Sequence, residues 1–184
     1  MNEKILITDI DGTILDYDGA FSKFINEPIP SAFNRIEYYK ENINKVEEFN
    51  SSPEFSKLEP IRDSVKALQS FHLCGYKIIL VSSCGNSSEC RYQRKKNLNN
   101  VFGNIFAATI LIPLFQPKKY VFEWLKDFHG HEEAILVEDM PKHAQSALDV
   151  AWLPYLLKHD YNKHDIIRGV SYVDSWNEIV DNHL

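Results

Sequence analysis

The run Lys4-Ile5-Leu6-Ile7-Thr8, continuing into Asp9-Ile10-Asp11-Gly12-Thr13, constrains this chain more than any other stretch. Apolar, β-branched and bounded by glycine, it reads as a buried strand that stops on two acids. Positions 9 and 11 share one face of an extended strand but are spread along it by two residues of rise, so both carboxylates reach one ligand only if the chain curls after the first. Gly12 permits that curl, because glycine adopts positive φ without a Cβ clash. Asp9 is then placed to attack phosphorus and Asp11 to carry the proton, provided a cation offsets the charge they concentrate. A plain Asp11-Gly12 turn between two strands is the competing reading.

Composition sets the outer limits. The 184 residues suffice for one full domain with a small insertion, and 44% apolar content is ordinary for a soluble globular protein. A formal net charge of -6 argues against a general nucleic-acid binder and admits a small anionic substrate only where positive charge is gathered locally. No apolar run reaches the length of a membrane span, and the N-terminus enters the first strand without a signal-peptide pattern, so the expectation is a cytoplasmic protein without a membrane partner. Cys74, Cys84 and Cys90 lack CxxC spacing, which indicates neither a disulfide framework nor a zinc site and suits a reducing compartment. His129 and His131, the only close histidine pair, read as solvent-facing.

Beyond Asp16 and Asp18-Gly19 the pattern turns helical to about Ser52, with Phe33, Ile36, Tyr39, Ile43, Val46 and Phe49 on one stripe between proline breaks. This predicts a small helical insertion. A helix opened by Pro60 follows, then a strand over Tyr76–Val81 that ends at Ser82-Ser83, where hydroxyls can donate to a phosphate or simply cap the next helix. Arg91, Arg94, Lys95 and Lys96 form a basic cluster on that helix, read as a solvated face rather than a substrate contact. Ile105–Leu111 gives a third strand. Pro117-Lys118-Lys119 then opens a helix with Val121, Phe122, Leu125 and Phe128 as its core stripe. Lysines in a first turn oppose the helix dipole, so they serve an anion or point into water. Ala134–Val137 is a fourth strand ending on Glu138-Asp139, oxygen donors suited to magnesium, although Asp139 could instead cap the helix after Pro141. Trp152–Leu157 is a fifth strand, and Ser175–Val180 starts a closing helix.

Alternating strands and helices predict an α/β fold, a Rossmann-like doubly wound parallel sheet with ligands at the carboxyl ends of its strands. Asp9/Asp11, Ser82, Lys118 and Glu138/Asp139 all fall at such ends. With these residues in place, the chain resembles the haloacid dehalogenase superfamily in its phosphatase branch, on the Asp9-x-Asp11-Gly12-Thr13 signature and the later acidic pair. The resemblance implies a core of residues 1–16 and 56–184 with a cap of residues 17–55 inserted after the first strand. It implies Asp9 as the nucleophile of an aspartyl-phosphate and Asp11 as acid and base. Ser82, Ser83, Lys118, Gly12 and Thr13 would bind the phosphate, with Lys119 close behind Lys118. Magnesium would be held by Asp9, Asp139, the Asp11 main-chain carbonyl and, assisting, Glu138.

The junction Ser52–Ile61, together with Asp16, Arg91-Tyr92, Tyr161-Asn162 and the Ser175–Ile179 ending, is similar to the 5'(3')-deoxyribonucleotidases. That similarity implies a nucleoside monophosphate as substrate, with Tyr38, Tyr39, Phe49 and Phe55 as candidates to stack on its base. A sugar phosphate or other small metabolite is the alternative substrate, and a non-catalytic binding module the alternative class. The sequence leaves the oligomeric state open, a homodimer included.

Overall fold

The structure, a computed structural model, describes residues 3–30, 35–129 and 134–184, without the side chains of Phe128 and His129. Phe33 and His131 therefore lie outside the described residues. The elements run β1 (Ile5–Thr8), α1 (Tyr17–Ile25), α2 (Arg35–Glu41), α3 (Ile43–Ser51), a 3-10 turn (Pro53–Lys57), α4 (Ser64–Leu73), β2 (Lys77–Ser83), α5 (Ser88–Phe102), β3 (Phe106–Ile112), α6 (Lys119–His129), β4 (Ala134–Glu138), α7 (Pro141–Asp149), β5 (Leu153–Leu157), β6 (Ser171–Val173) and α8 (Trp176–His183).

All six strands are parallel, in the order β3-β2-β1-β4-β5-β6. The chain steps outward from β1 through β2 to β3, then returns to place β4 on the other side of β1. A crevice forms where the strand order reverses, at the carboxyl ends of β1 and β4. Asp9 and Glu138-Asp139 stand there. Parallel pairing of β1 with both neighbours also removes the hairpin reading of Asp11-Gly12.

Both faces of the sheet are covered. Leu6, Ile78, Leu80, Ile135 and Val137 pack with Phe21, Phe49, Leu68, Phe71 and Trp176 in one core, while Ile5, Ile7, Ile79, Val81 and Leu136 pack with Phe122, Leu125 and Trp152 in the other. The alternation along β1 follows from the two-residue period of a strand, and burial on both faces explains its continuous apolar run.

The stripe predicted as one helix is divided into α2 and α3 and is preceded by α1, whose start is capped by Asp16 accepting from the Gly19 N–H at 2.9 Å. These helices hold an aromatic nucleus: the Tyr17 ring lies 5.4 Å from Phe49, and Phe49 lies 5.6 Å from Phe55. The helix expected from Pro60 begins at Ser64 instead. Pro60 bridges Leu15, and the neighbouring Glu59 carbonyl and Ile61 N–H bond to Asp16 and Ile14, which commits that backbone to the loop after β1. β6 is a sixth strand beyond the five expected from sequence. Among the described residues no helix is long and apolar enough to cross a membrane.

Candidate active site

A cleft of about 210 Å³ opens at the carboxyl ends of β1, β2 and β4. Asp9, Asp11, Ser82, Ser83, Lys118 and Asp139 line it from the sheet side, and Arg35, Ile36, Tyr39, Lys40, Val46 and Asn50 from the helical insertion. The loop before Lys118 contributes Leu114, Phe115 and Gln116.

β1 carries Asp9 into this cleft because its pairing with β4 continues one residue further: the Asp9 N–H donates to the Val137 carbonyl at 3.0 Å. Gly12 then turns the chain at φ +82, and a Cβ there would overlap the Asp139 carboxylate. No other residue meets both demands. Gly12 and Thr13 are not among the residues that line the cleft. The Gly12 carbonyl accepts from His159 Nε2 at 2.7 Å, and Thr13 is fully buried with its carbonyl accepting from Trp176 Nε1 at 2.8 Å.

Lys118, immediately before α6, is 1% exposed. Its Nζ lies 2.7 Å from Asp9 Oδ1 and 2.5 Å from Glu138 Oε1. Burial disfavours its charge, but the Asp9 and Glu138 carboxylates outweigh burial and hold its pKa above the ordinary lysine value. Lys119 points outward to Glu123 at 3.7 Å, half exposed. The first-turn conflict with the helix dipole is thus answered by two anions.

Glu138 is fully buried and makes several contacts. Its Oε2 accepts from the Asp139 and Met140 N–H groups at 3.2 and 3.3 Å, and His143 Nδ1 lies 3.2 Å from Oε1. Burial works against its ionisation, yet Lys118 and His143 together bring it down to about 2. Asp139 behaves oppositely. Burial, opposed by Arg35 and reinforced by Asp9 and Glu138, pushes it up to about 7. Arg35 Nη1 and the Tyr161 hydroxyl both donate to Asp139 Oδ2, while Asp139 Oδ1 is buried with no hydrogen-bond partner. Asp9, Glu138 and Asp139 each offer a carboxylate oxygen within 4.8 Å of the others, which makes them the candidate metal-holding group among the described residues. Asp139 does not cap α7; that position belongs to Met140.

The Asp11 carboxylate stands outside this acidic group. Arg94 Nη2 donates to both of its oxygens, each at 2.6 Å. Arg94 is fully buried, which corrects the reading of its cluster as a solvated face; Arg91, Lys95 and Lys96 are exposed as expected. The helix it rides on is capped by Ser87, accepting from the Cys90 N–H at 3.1 Å, so Ser82 is free of the capping duty weighed for it. Cys90 packs beside Cys84, their sulfurs 2.8 Å apart, and both are buried free thiols.

Of the four candidate stacking rings only Tyr39 lines the cleft, and its hydroxyl donates to Asp18 at 2.6 Å. Phe49 and Phe55 are buried in the aromatic nucleus, which takes them away from any substrate. Tyr38 lines a separate small cavity beside Arg35 and Tyr161. Arg35, His143 and Arg94 are the basic residues in contact with the site's carboxylates that sequence did not assign to it. Spacing identifies the last of these: Cys90, Arg94 and Leu98 recur every four residues on the buried face of α5.

No protein-family model matches the chain. A protein of Enterobacteria phage T4, the 32.4 kDa product of the Gp30-rIII intergenic region, is 20% identical over 190 residues, covering 95% of this chain and 67% of the relative. Among solved structures, a predicted phosphatase from Clostridium acetobutylicum aligns with a TM-score of 0.75 at 12% identity, over 99% of this chain and 98% of that one. A haloacid dehalogenase-like hydrolase from Streptococcus pneumoniae gives 0.69 at 11% identity over 99% of both chains. The D,D-heptose 1,7-bisphosphate phosphatase of B. bronchiseptica, solved with magnesium and phosphate, gives 0.68 at 11% over 97% of both. The fold is shared with these proteins.

Proposed function

We propose that this chain, whose fold is that of the haloacid dehalogenase-like hydrolases, is a magnesium-dependent phosphomonoesterase working through an aspartyl-phosphate. The observation that carries the reading is the meeting of Asp9, Asp11, Ser82 and buried Lys118 in one cleft at the switch point of the sheet. In it Asp9 attacks phosphorus in line, and the bond to the leaving oxygen breaks as Asp11 protonates that oxygen. Water then attacks the aspartyl-phosphate and gives its proton to Asp11. Lys118 and Ser82, with Ser83 at the cleft wall, donate to the phosphoryl oxygens. Residues 17–55 act as a cap whose inner side excludes bulk water.

The acids fit a divalent cation, since Asp139 Oδ1 is buried without a partner and the Asp9, Glu138 and Asp139 oxygens lie within 4.8 Å. Asp9, Asp139 and the Asp11 main-chain carbonyl would hold magnesium, with Glu138 assisting through its contacts to Lys118 and the Asp139 N–H. Bound there, the ion would offset the negative charge that carboxylates and phosphate bring together.

The narrower reading is a 5'(3')-deoxyribonucleotidase acting on nucleoside monophosphates in the cytoplasm. It draws on the resemblance of the Ser52–Ile61 junction and on two rings at the cleft, Tyr39 and the 40% exposed Phe115. A sugar phosphate or other small metabolite is favoured instead by the burial of Phe49 and Phe55, and a heptose bisphosphate phosphatase is among the proteins of similar fold. Phosphate release from matched panels of 5'- and 3'-nucleoside monophosphates and sugar phosphates separates the two. Turnover concentrated on deoxynucleotides supports the first, turnover concentrated on sugar phosphates supports the second, and none on any ester contradicts the phosphatase reading.

A further inference from the structure

Arg94 does not line the cleft, yet its charge is directed wholly at a residue that does. Nη2 holds both Asp11 oxygens at 2.6 Å, while Nε and Nη1 are buried with no hydrogen-bond partner. Asp11 is the sole ion-pair partner of Arg94 among the described residues. The guanidinium carbon lies 4.1 Å from the centroid of the Phe55 ring, in the 3-10 turn that joins the helical insertion to the rest of the chain. Burying an arginine with so few hydrogen bonds is a poor way to stabilise a fold, since a packed apolar side chain often does as well. It is an effective way to fix the direction of a carboxylate. A single aspartate on a loop otherwise has its χ2 rotation free, and proton transfer demands hydrogen-bond reach to one particular oxygen of the substrate.

We propose that Arg94, seated on Phe55, is a positioning residue that holds the Asp11 carboxylate facing the cleft for proton transfer. The inference rests on the phosphatase reading of Asp9 and Asp11. It also gives Phe55 a function other than the stacking role expected from sequence: the ring supports the cation that aims the acid.

The test is pre-steady-state hydrolysis of p-nitrophenyl phosphate with magnesium by wild type, Arg94→Met and Arg94→Lys, with thermal melts of each protein. p-Nitrophenolate leaves without needing a proton, so formation of the aspartyl-phosphate should tolerate a misaligned Asp11, whereas its hydrolysis should not. Arg94→Met is expected to release a burst near one equivalent per site at a rate within about 3-fold of wild type, followed by turnover slowed about 100-fold, within the range of general-base effects. KM is expected not to rise. Arg94→Lys, which keeps the buried charge but grips less well, is expected to recover turnover to about 10-fold below wild type. A merely structural role would instead lower burst amplitude with the folded fraction. Folded Arg94→Met with unchanged turnover, or with burst and turnover slowed alike, overturns the proposal. If Arg94→Met does not fold, Arg94→Lys decides: slower turnover after a normal burst supports it, and unchanged turnover overturns it. If wild type leaves p-nitrophenyl phosphate intact but hydrolyses another ester of the panel, the aryl ester of that substrate takes its place; absence of wild-type release from every ester overturns the phosphatase reading and this inference with it.

Discussion

Lys118 Nζ lies 2.7 Å from Asp9 Oδ1 in a buried ion pair that ties the end of β1 to the start of α6. With Glu138 on its other side, the lysine separates two buried carboxylates that would otherwise repel. Lys118→Met leaves both without their cation. Removing one partner of a buried pair costs about 3–5 kcal/mol, and urea unfolding of the metal-free protein should record a loss of that size. Phosphate release should fall by at least about 100-fold, as when a group stabilising transition-state charge is lost.

Glu138 makes the acid limb of stability. Its carboxyl is lowered from 4.5 to about 2 in the folded chain, so the unfolded state binds the proton more readily. The stabilisation is fully present above pH 4.5 and is lost as pH falls toward 2. Denaturant melts of wild type and Glu138→Gln across that window should show a fall in wild-type stability that the variant lacks. Parallel curves for the two proteins would count against the ion pair.

Asp139 carries the opposite sign. Burial raises its pKa to about 7, so in the metal-free protein its ionisation costs stability as pH climbs from its unfolded value of 3.8 through 7. Relative to Asp139→Asn, which takes a carboxylate partner from Arg35 at every pH, metal-free wild type should therefore lose stability as pH rises from 3.8 through 7. Magnesium should act the other way: at 100 times its Kd a ligand adds about 2.7 kcal/mol to wild type, and the variant, lacking the carboxylate, should gain almost nothing. Calorimetric melts with magnesium and with EDTA supply the comparison.

Asp11→Asn tests the account of Arg94 as a charge dependent on one partner. The substitution leaves a buried guanidinium without a counter-ion and should cost about 3 kcal/mol. Adding Arg94→Met to it should restore most of that stability without restoring activity. Additive destabilisation in the double variant would mean that the pair is not coupled.

The parallel sheet was legible because β1, β2 and β4 are continuous apolar runs, the pattern that burial on both faces imposes. β6 was not, since Ser171-Tyr172-Val173 is a three-residue edge strand with only Val173 fully buried. Lys118 could be singled out by its conflict with the helix dipole. Arg94 was hidden by Arg91, Lys95 and Lys96, because a run of like charges reads as a solvated face until the buried spacing of Cys90 and Leu98 is taken into account. Arg35 reaches Asp139 across 104 positions of sequence, and no local pattern encodes that approach. Phe49 and Phe55 leave the stacking set, while Tyr39 stays at the cleft, for a related reason: aromatic residues at helical spacing build a core as readily as a binding wall, and Tyr17 and Phe21 recruit Phe49 and Phe55 into one.

The central claim is that Asp9 accepts the phosphoryl group. A single turnover of a phosphomonoester radiolabelled in phosphate, run with magnesium, quenched in acid and mapped by peptide, tests it most directly. The account predicts label on the peptide containing Asp9, with both label and turnover lost in Asp9→Asn or with EDTA. Turnover that persists in Asp9→Asn, or label on another residue, would contradict it.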